Sequence, residues 1–449
     1  MRIFCGAIFA LGIAACAAPR AANPPPIIDP NIKVTATPEA AKVAYQAAID
    51  AFVAHDKAND WSAASCAAVA AQFDAIANTG ALVAEASFNA GLAFQRCNDD
   101  ANAKARFEQV VKADPKNPHA RAQLALYRYK SDGDENAAIA ALDSAVVDAK
   151  FQDVPALVAL ATMQMARDGA TPGRDCANDL ECAKGNLQRA LAIDDSYMPA
   201  LNQLALYYFT QAKKRAGVVV TAKNRGRHVL TPAGARRTAD VQQLELAALV
   251  CSQAMKKNPA YGPIHNTAGL VQNELGHVSS AVAEFAEAIK LDPRSYEAQM
   301  NYAAVNLGFR GFEQAQKAYK AALALRPNDY DAHLGLAIAL RGPITGMEAD
   351  FDQRVAAVQA EIDIAKKLDP ARPDAYFNEA ILIHEFGTKG TEAQKQIVAL
   401  DKAKASFETF LTKAGTRVEY AAATTRAKER IQDIDQTRGF LAQGGTTSP

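Results

Sequence analysis

The chain has 449 residues with 49 basic and 49 acidic side chains, so it carries no formal net charge, and the whole molecule offers neither a general nucleic-acid-binding nor an anionic-lipid-binding surface. Its seven histidines are scattered, none in a metal-ligand pair at helical spacing, and there is no glycine-rich phosphate loop or nucleophile elbow. These features argue against an enzyme, a cofactor, a metal site, a small-molecule substrate and a nucleic-acid partner.

The chain opens with an export signal over residues 1–15. Arg2 and the amino terminus supply a short positive region, and Ile3 to Ala15 form an uncharged apolar run too short to span a bilayer as a helix. The following Ile13-Ala14-Ala15-Cys16 resembles the bacterial lipobox. That resemblance implies cleavage before Cys16, a diacylglycerol on its thiol and a lipid anchor, whereas a plain secretory signal cut elsewhere is the alternative. Ala17 stands where some bacterial lipoproteins retained at the inner membrane carry aspartate, which favours an outer-membrane site facing the periplasm. Residues 16–38 then form a spacer in which Pro24, Pro25, Pro26, Pro30 and Pro38 favour extended chain.

Residues 39–430 are organised by a period. Pro259, Pro293 and Pro327 are each 34 residues apart, and each closes an alanine-rich stretch with helical spacing of apolar residues. Between Pro259 and Pro293 the apolar positions fall in two blocks, Ala268, Leu270 and Val271, then Ala281, Val282, Phe285, Ala288 and Ile289. Gly269 and Ala281 are small where two helices press closest, and Phe285 is expected as bulk wedged between successive units. The pattern recurs in register. Gly91, Ala103, Phe107 and Pro115 mark a unit near 84–117; Ala125 and Ala137 mark the next; Ala303, Ala315, Tyr319 and Pro327 mark another. Residues 152–197 keep Ala183, Leu187 and Ala190, residues 198–261 keep Ala205, Ala247 and Cys251 around an insertion, and 330–372 are stretched by a loop holding Gly342, Pro343 and Gly346. Weaker units lie at 39–78, with Trp61, and at 373–415, with Ala380, Ala403 and Phe407; residues 431–449 read as a flexible tail.

A 34-residue unit of two helices with these small and aromatic positions resembles the tetratricopeptide repeat. The resemblance implies an all-α solenoid of about nine helix-turn-helix units coiled as a right-handed superhelix. It also implies that first helices line a groove that grips protein partners. Matching positions are Asn89, Asn202, Asn266, Asn273, Asn301 and Asn378, with Tyr129, Tyr208 and Phe209 for apolar contact; the alternative is that some only bridge neighbouring helices.

The insertion at 211–240 concentrates charge. Lys213, Lys214, Arg215, Lys223, Arg225, Arg227, Arg236 and Arg237 fall within it with no acidic residue between them. Val218, Val219 and Val220, followed by Val229 and Leu230, are compatible with a small β-hairpin. A contact for an acidic partner, an anionic lipid headgroup or an anionic wall polymer, and a solvated loop, are all open readings. Among the cysteines, Cys176 and Cys182 are close enough to close a small disulfide ring in an interhelical loop, Cys66 and Cys97 sit on neighbouring units as a candidate disulfide staple of the amino-terminal cap, and Cys251 reads as a buried small hydrophobe.

Taken together, lipobox, proline spacer, about nine repeats, a basic insertion and extra cysteines resemble the tetratricopeptide lipoproteins of the myxobacterial adventurous gliding-motility machinery. This implies a non-catalytic scaffold binding other envelope or motility-complex proteins, with the membrane reached through the lipid anchor. The alternatives are a pilotin or outer-membrane assembly lipoprotein, and a regulator of cell-wall synthesis.

Overall fold

The structure is a computed structural model that describes residues 39–58, 60–170, 173–174, 176–223, 233–387, 392–417 and 420–443, with the backbone alone for 215–223 and 233–240. Cys16, the signal, the spacer 16–38, Arg225 and Arg227 lie outside the described residues. Two compact bodies divide the chain at Pro293 and Arg294. Each is treated by itself.

The first body holds six helix pairs, each helix packed on its successor. They are α1 (Glu39–Ala58) with α2 (Ala63–Ala77), α3 (Val83–Arg96) with α4 (Asp100–Ala113), and α5 (Pro118–Asp132) with α6 (Glu135–Asp148). Then follow α7 (Val154–Arg167) with α8 (Asp179–Ile193), α9 (Met198–Lys223) with α10 (Ala233–Lys257), and α11 (Gly262–Glu274) with α12 (Val278–Leu291). The second body holds α13 (Tyr296–Gly308) with α14 (Phe312–Leu325), α15 (Tyr330–Arg341) with α16 (Phe351–Leu368), α17 (Asp374–Phe386) with α18 (Ala393–Ala414), and a last helix α19 (Ala421–Ala442). All 19 elements of the described residues are helices, paired as the all-α solenoid requires. The expected stretch in the 330–372 unit is the loop from Gly342 to Asp350.

Local chemistry starts these helices at fixed places. Asp99, Asn117, Asp134, Asp153, Asn178, Ser295 and Asp329 each stand at an N-cap and accept from the backbone N–H three residues on. Each satisfies one of the donors a helix start leaves open, a contribution of about 1 kcal/mol per cap. Pro118, Pro155 and Pro263 occupy the first turn of their helices, where a missing N–H costs nothing.

Pairs close on small residues. Ala103, Ala281, Ala315, Ala365 and Ala403 are buried, and a large ring fills the space beside a glycine. A Cβ built on Gly91 would lie 2.7 Å from Phe107 Cε1, and one on Gly269 would lie 2.5 Å from Phe285 Cε1. Phe285 thus seats on the first helix of its own pair, where the glycine leaves a ring-sized recess directly across the turn. A wedge between pairs is formed within the second body by Tyr319 of α14, which lies against Gly335 of α15.

Both ends depart from the plain repeat. Trp61 is buried beside Phe52, and its indole N–H donates to Asp56 Oδ1 at 2.7 Å. Arg96 closes the same carboxylate with two bonds, at 2.9 and 3.1 Å. A disulfide joins Cys66 on α2 to Cys97 just past α3, Cα to Cα 6.4 Å. At the other end, residues 431–442 are not a tail but the second half of α19. Ala427, Ile434 and Leu441 are buried against Phe407 and Phe410 of α18, so an apolar stripe holds the segment in place.

The insertion also differs from expectation. Residues 217–222 continue α9 and form no hairpin strand. Extending a formed helix gains one hydrogen bond per residue fixed, whereas a new hairpin must be nucleated, so the valine run stays in the helix it follows.

The Gly269–Phe285 contact yields a test with a change of sign. Gly269→Ala should destabilise the protein, because the clash outweighs the roughly 1 kcal/mol gained in helix propensity. In a Phe285→Ala background, itself about 3–5 kcal/mol less stable, the same change should stabilise. Urea midpoints of the four proteins check this; equal effects in both backgrounds would remove the contact from the account.

Candidate partner-binding surface

The structure sorts the nine residues expected to line the first-helix groove into two groups. Asn89 is 1% exposed, and its amide donates to Tyr45 Oη at 2.5 Å. Asn202 is also buried, and its Oδ1 accepts from Thr267 Oγ1 at 2.7 Å, bridging α9 to α11. Phe209 is buried among Ala212, Leu244, Ala247 and Val271. These three hold helices together and are withdrawn from any partner. Asn266 and Asn273 on α11, Asn301 on α13 and Asn378 on α17 remain half-buried, so part of each side chain meets solvent. The amide of Asn378 donates to the Asp374 carbonyl one turn back, at 2.9 Å. Tyr129 and Tyr208 are half-buried too. Tyr208 stands edge-on to Tyr207 with centroids 5.3 Å apart, and Tyr129 donates to Glu135 Oε1 at 3.3 Å. Burial, then the Glu135 carboxylate, push the Tyr129 phenol up, which keeps it a neutral donor.

The basic cluster is partly neutralised at its base. Lys213 pairs with Glu274 of α11 at 3.6 Å and lies over the Phe209 ring, 5.2 Å from its centroid. Lys214 pairs with Asp168, the residue that ends α7. Both acids come from other helices, so a stretch without acidic residues in sequence is not without them in space. Arg215 and Lys223 belong to α9, and Arg236 and Arg237 to α10.

The loop next to Asp168 is braced as well. Arg167 holds Asp179 through two bonds, at 2.8 and 2.6 Å, and the same carboxylate accepts from the Gly169 N–H. Burial opposes the charged form of Asp179, but the bonds from Arg167 and Gly169 outweigh it and keep the carboxyl below its usual range. A disulfide links Cys176 to Cys182. Cys182 lies in the first turn of α8, so the ring closes from loop to helix instead of within the loop. Cys251 is buried and free, its thiol pushed up to about 12 by burial, and behaves as packing.

One arrangement escaped the sequence reading. His265 faces two acceptors: Nδ1 lies 2.7 Å from Glu284 Oε2 and Nε2 lies 2.9 Å from the Pro259 carbonyl. His333 repeats it with Glu361 at 2.6 Å and the Pro327 carbonyl at 2.9 Å. Each ring ties a repeat-closing proline to both helices of the next pair. The signal was present, since His265 and His333 stand two periods apart, each six residues after its proline. Gln299 occupies the intervening register.

At His265, donation to both acceptors requires the doubly protonated imidazole. The Glu284 carboxylate accordingly raises His265 above the usual histidine range, with burial opposing and the Pro259 carbonyl adding to the rise. The folded state therefore holds the proton more tightly than the unfolded chain. Its stabilisation is complete below about pH 6.5 and is lost as pH rises through the raised value. Glu284→Gln should cost about 1.5–3 kcal/mol at pH 6 and progressively less at higher pH. Urea midpoints measured from pH 5.5 to 9 check this; a deficit that is constant across that range would contradict it.

Comparison with known proteins agrees with the repeat. The family model described as tetratricopeptide repeat matches residues 84–117, the span of α3 and α4. No curated protein sequence matches the chain. Similar solved structures include a thermophilic tetratricopeptide repeat protein of Thermus thermophilus, 24% identical, TM-score 0.38, covering 50% of this chain and 98% of that one. Another is a tetratricopeptide repeat protein of Parabacteroides merdae, 14% identical, TM-score 0.37, covering 71% and 99%. PilF of Pseudomonas aeruginosa is 16% identical with a TM-score of 0.40, covering 62% and 99%. Residues 84–117 are thus a tetratricopeptide repeat, one of nine helix pairs among the described residues of an all-α chain.

Proposed function

We propose that this chain is a non-catalytic scaffold that binds protein partners through its repeat stack, anchored by lipid at Cys16 in the outer membrane and facing the periplasm. The observation that carries the reading is a division of labour in the pairs that begin with α11, α13 and α17. The small and aromatic side chains are spent on stacking, while the first helices leave Asn266, Asn273, Asn301 and Asn378 partly open to solvent. Amides suit backbone recognition because each both donates and accepts. No helix among the described residues is long and apolar enough to cross a membrane.

Within that reading, the complex served is the envelope-spanning machinery of adventurous gliding motility, where a repeat lipoprotein would connect subunits. The basic insertion supplies the charged contact. Lys213 and Lys214 are engaged within the fold, and the four arginines of the insertion, Arg225, Arg227, Arg236 and Arg237, are assigned to the acidic partner from their sequence alone.

Three measurements test these levels separately. Capture from cross-linked envelopes should return motility subunits; recovery of pilus, assembly or wall-synthesis proteins alone would sink the gliding assignment and leave the scaffold. Replacing Arg225, Arg227, Arg236 and Arg237 by Ser should weaken binding of a captured partner about tenfold at low salt and less at high salt. Cys16→Ser should abolish labelling by a palmitate analogue, and persisting label would exclude the anchor.

A further inference from the structure

The loop between α15 and α16 holds one large apolar side chain out in water. Met347 is 91% exposed, at the tip of the segment from Gly342 to Asp350. The loop is not loose. Ile344 is 8% exposed and plugs the core formed by Tyr330, Leu334, Val358 and Ile362, and Phe312 of α14 lies against Gly342. On the solvent side the Glu348 carboxylate accepts from the Thr345 N–H at 2.7 Å, the Thr345 hydroxyl at 2.8 Å and the Gly346 N–H at 2.9 Å. Gly346 takes φ +90°, a backbone open to glycine, and the Met347 N–H donates to Thr345 Oγ1 at 3.3 Å. Anchor, cage and glycine fix the tip while leaving its thioether uncovered.

The other methionines of the described residues are placed differently. Met163, Met198 and Met300 are buried, and Met165 and Met255 are partly buried and packed against core clusters. Access decides which thioether a peroxide reaches, because the sulfur lone pair must approach the peroxide oxygen along the line of the O–O bond.

We propose that Met347 is a surface oxidation site for hydrogen peroxide, converted to its sulfoxide with the fold intact. The sulfur attacks one peroxide oxygen, the S–O bond forms as the O–O bond breaks, and the proton of the attacked oxygen passes to the departing hydroxide, which leaves as water; sulfur is oxidised and peroxide reduced. The product places a strong hydrogen-bond acceptor where an apolar tip stood, on a loop whose backbone bonds run through Glu348 and not through the sulfur. The change is therefore one of surface chemistry, reversible by a methionine sulfoxide reductase. It stands independently of the scaffold reading.

The test uses the full folded chain, mild hydrogen peroxide and peptide mapping by mass spectrometry over time. Met347 should gain one oxygen about tenfold faster than any other methionine of the described residues. Met347→Leu should remove that early product, the singly oxidised protein should keep the parent melting temperature, and reductase treatment should restore the original mass. Oxidation of Met165 or Met255 at a rate equal to that of Met347 would overturn the assignment. So would a melting temperature that falls with the first oxygen.

Discussion

The fold depends on how closely two helices of a pair approach. At Gly91 and Gly269 the space that a Cβ would take is filled by the rings of Phe107 and Phe285, so the aromatic seats directly on backbone. A methyl group there would either displace the ring or spread the helices, because interiors are packed to near crystal density. Alanines elsewhere in the pairs serve the same constraint less strictly. Caps, closing prolines and histidine bridges then determine where each helix begins and how one pair follows another.

Much of this was legible because it is local. The proline interval, the small residue and aromatic in register, and the Gly342–Asp350 loop are all matters of spacing along the chain. The parts that were not legible involve distance or rotation. Asn89 and Asn202 occupy the expected register, but a modest turn about the helix axis carries a side chain from the solvent face into the seam, and both are bonded there. Phe209 is buried for the same reason. The acids that meet Lys213 and Lys214 come from 61 and 46 residues away along the chain, which no reading of charge by segment can see. The helical continuation through Val218–Val220 reflects cooperativity rather than residue preference, and valine alone points the other way.

Electrostatic neutrality also has a structural meaning. Among the described residues several acids and bases are matched in space, as with Arg96 and Asp56, Arg167 and Asp179, Lys366 and Glu379, and Arg372 with Asp331. Several of these are half-buried or deeper and join different helices, so they set register more than they add stability.

Helix α19 has a consequence for how such a chain can change in length. It covers the face of α18 that Phe407 and Phe410 present, and it is tied there by Lys404 to Asp435 and by Arg438 to Asp401, both at 2.7 Å. A duplicated 34-residue unit placed among the earlier pairs would find the same kind of neighbour on each side. Placed after α18, it would compete with α19 for one surface. Growth by duplication is therefore permitted inside the array and blocked at that edge.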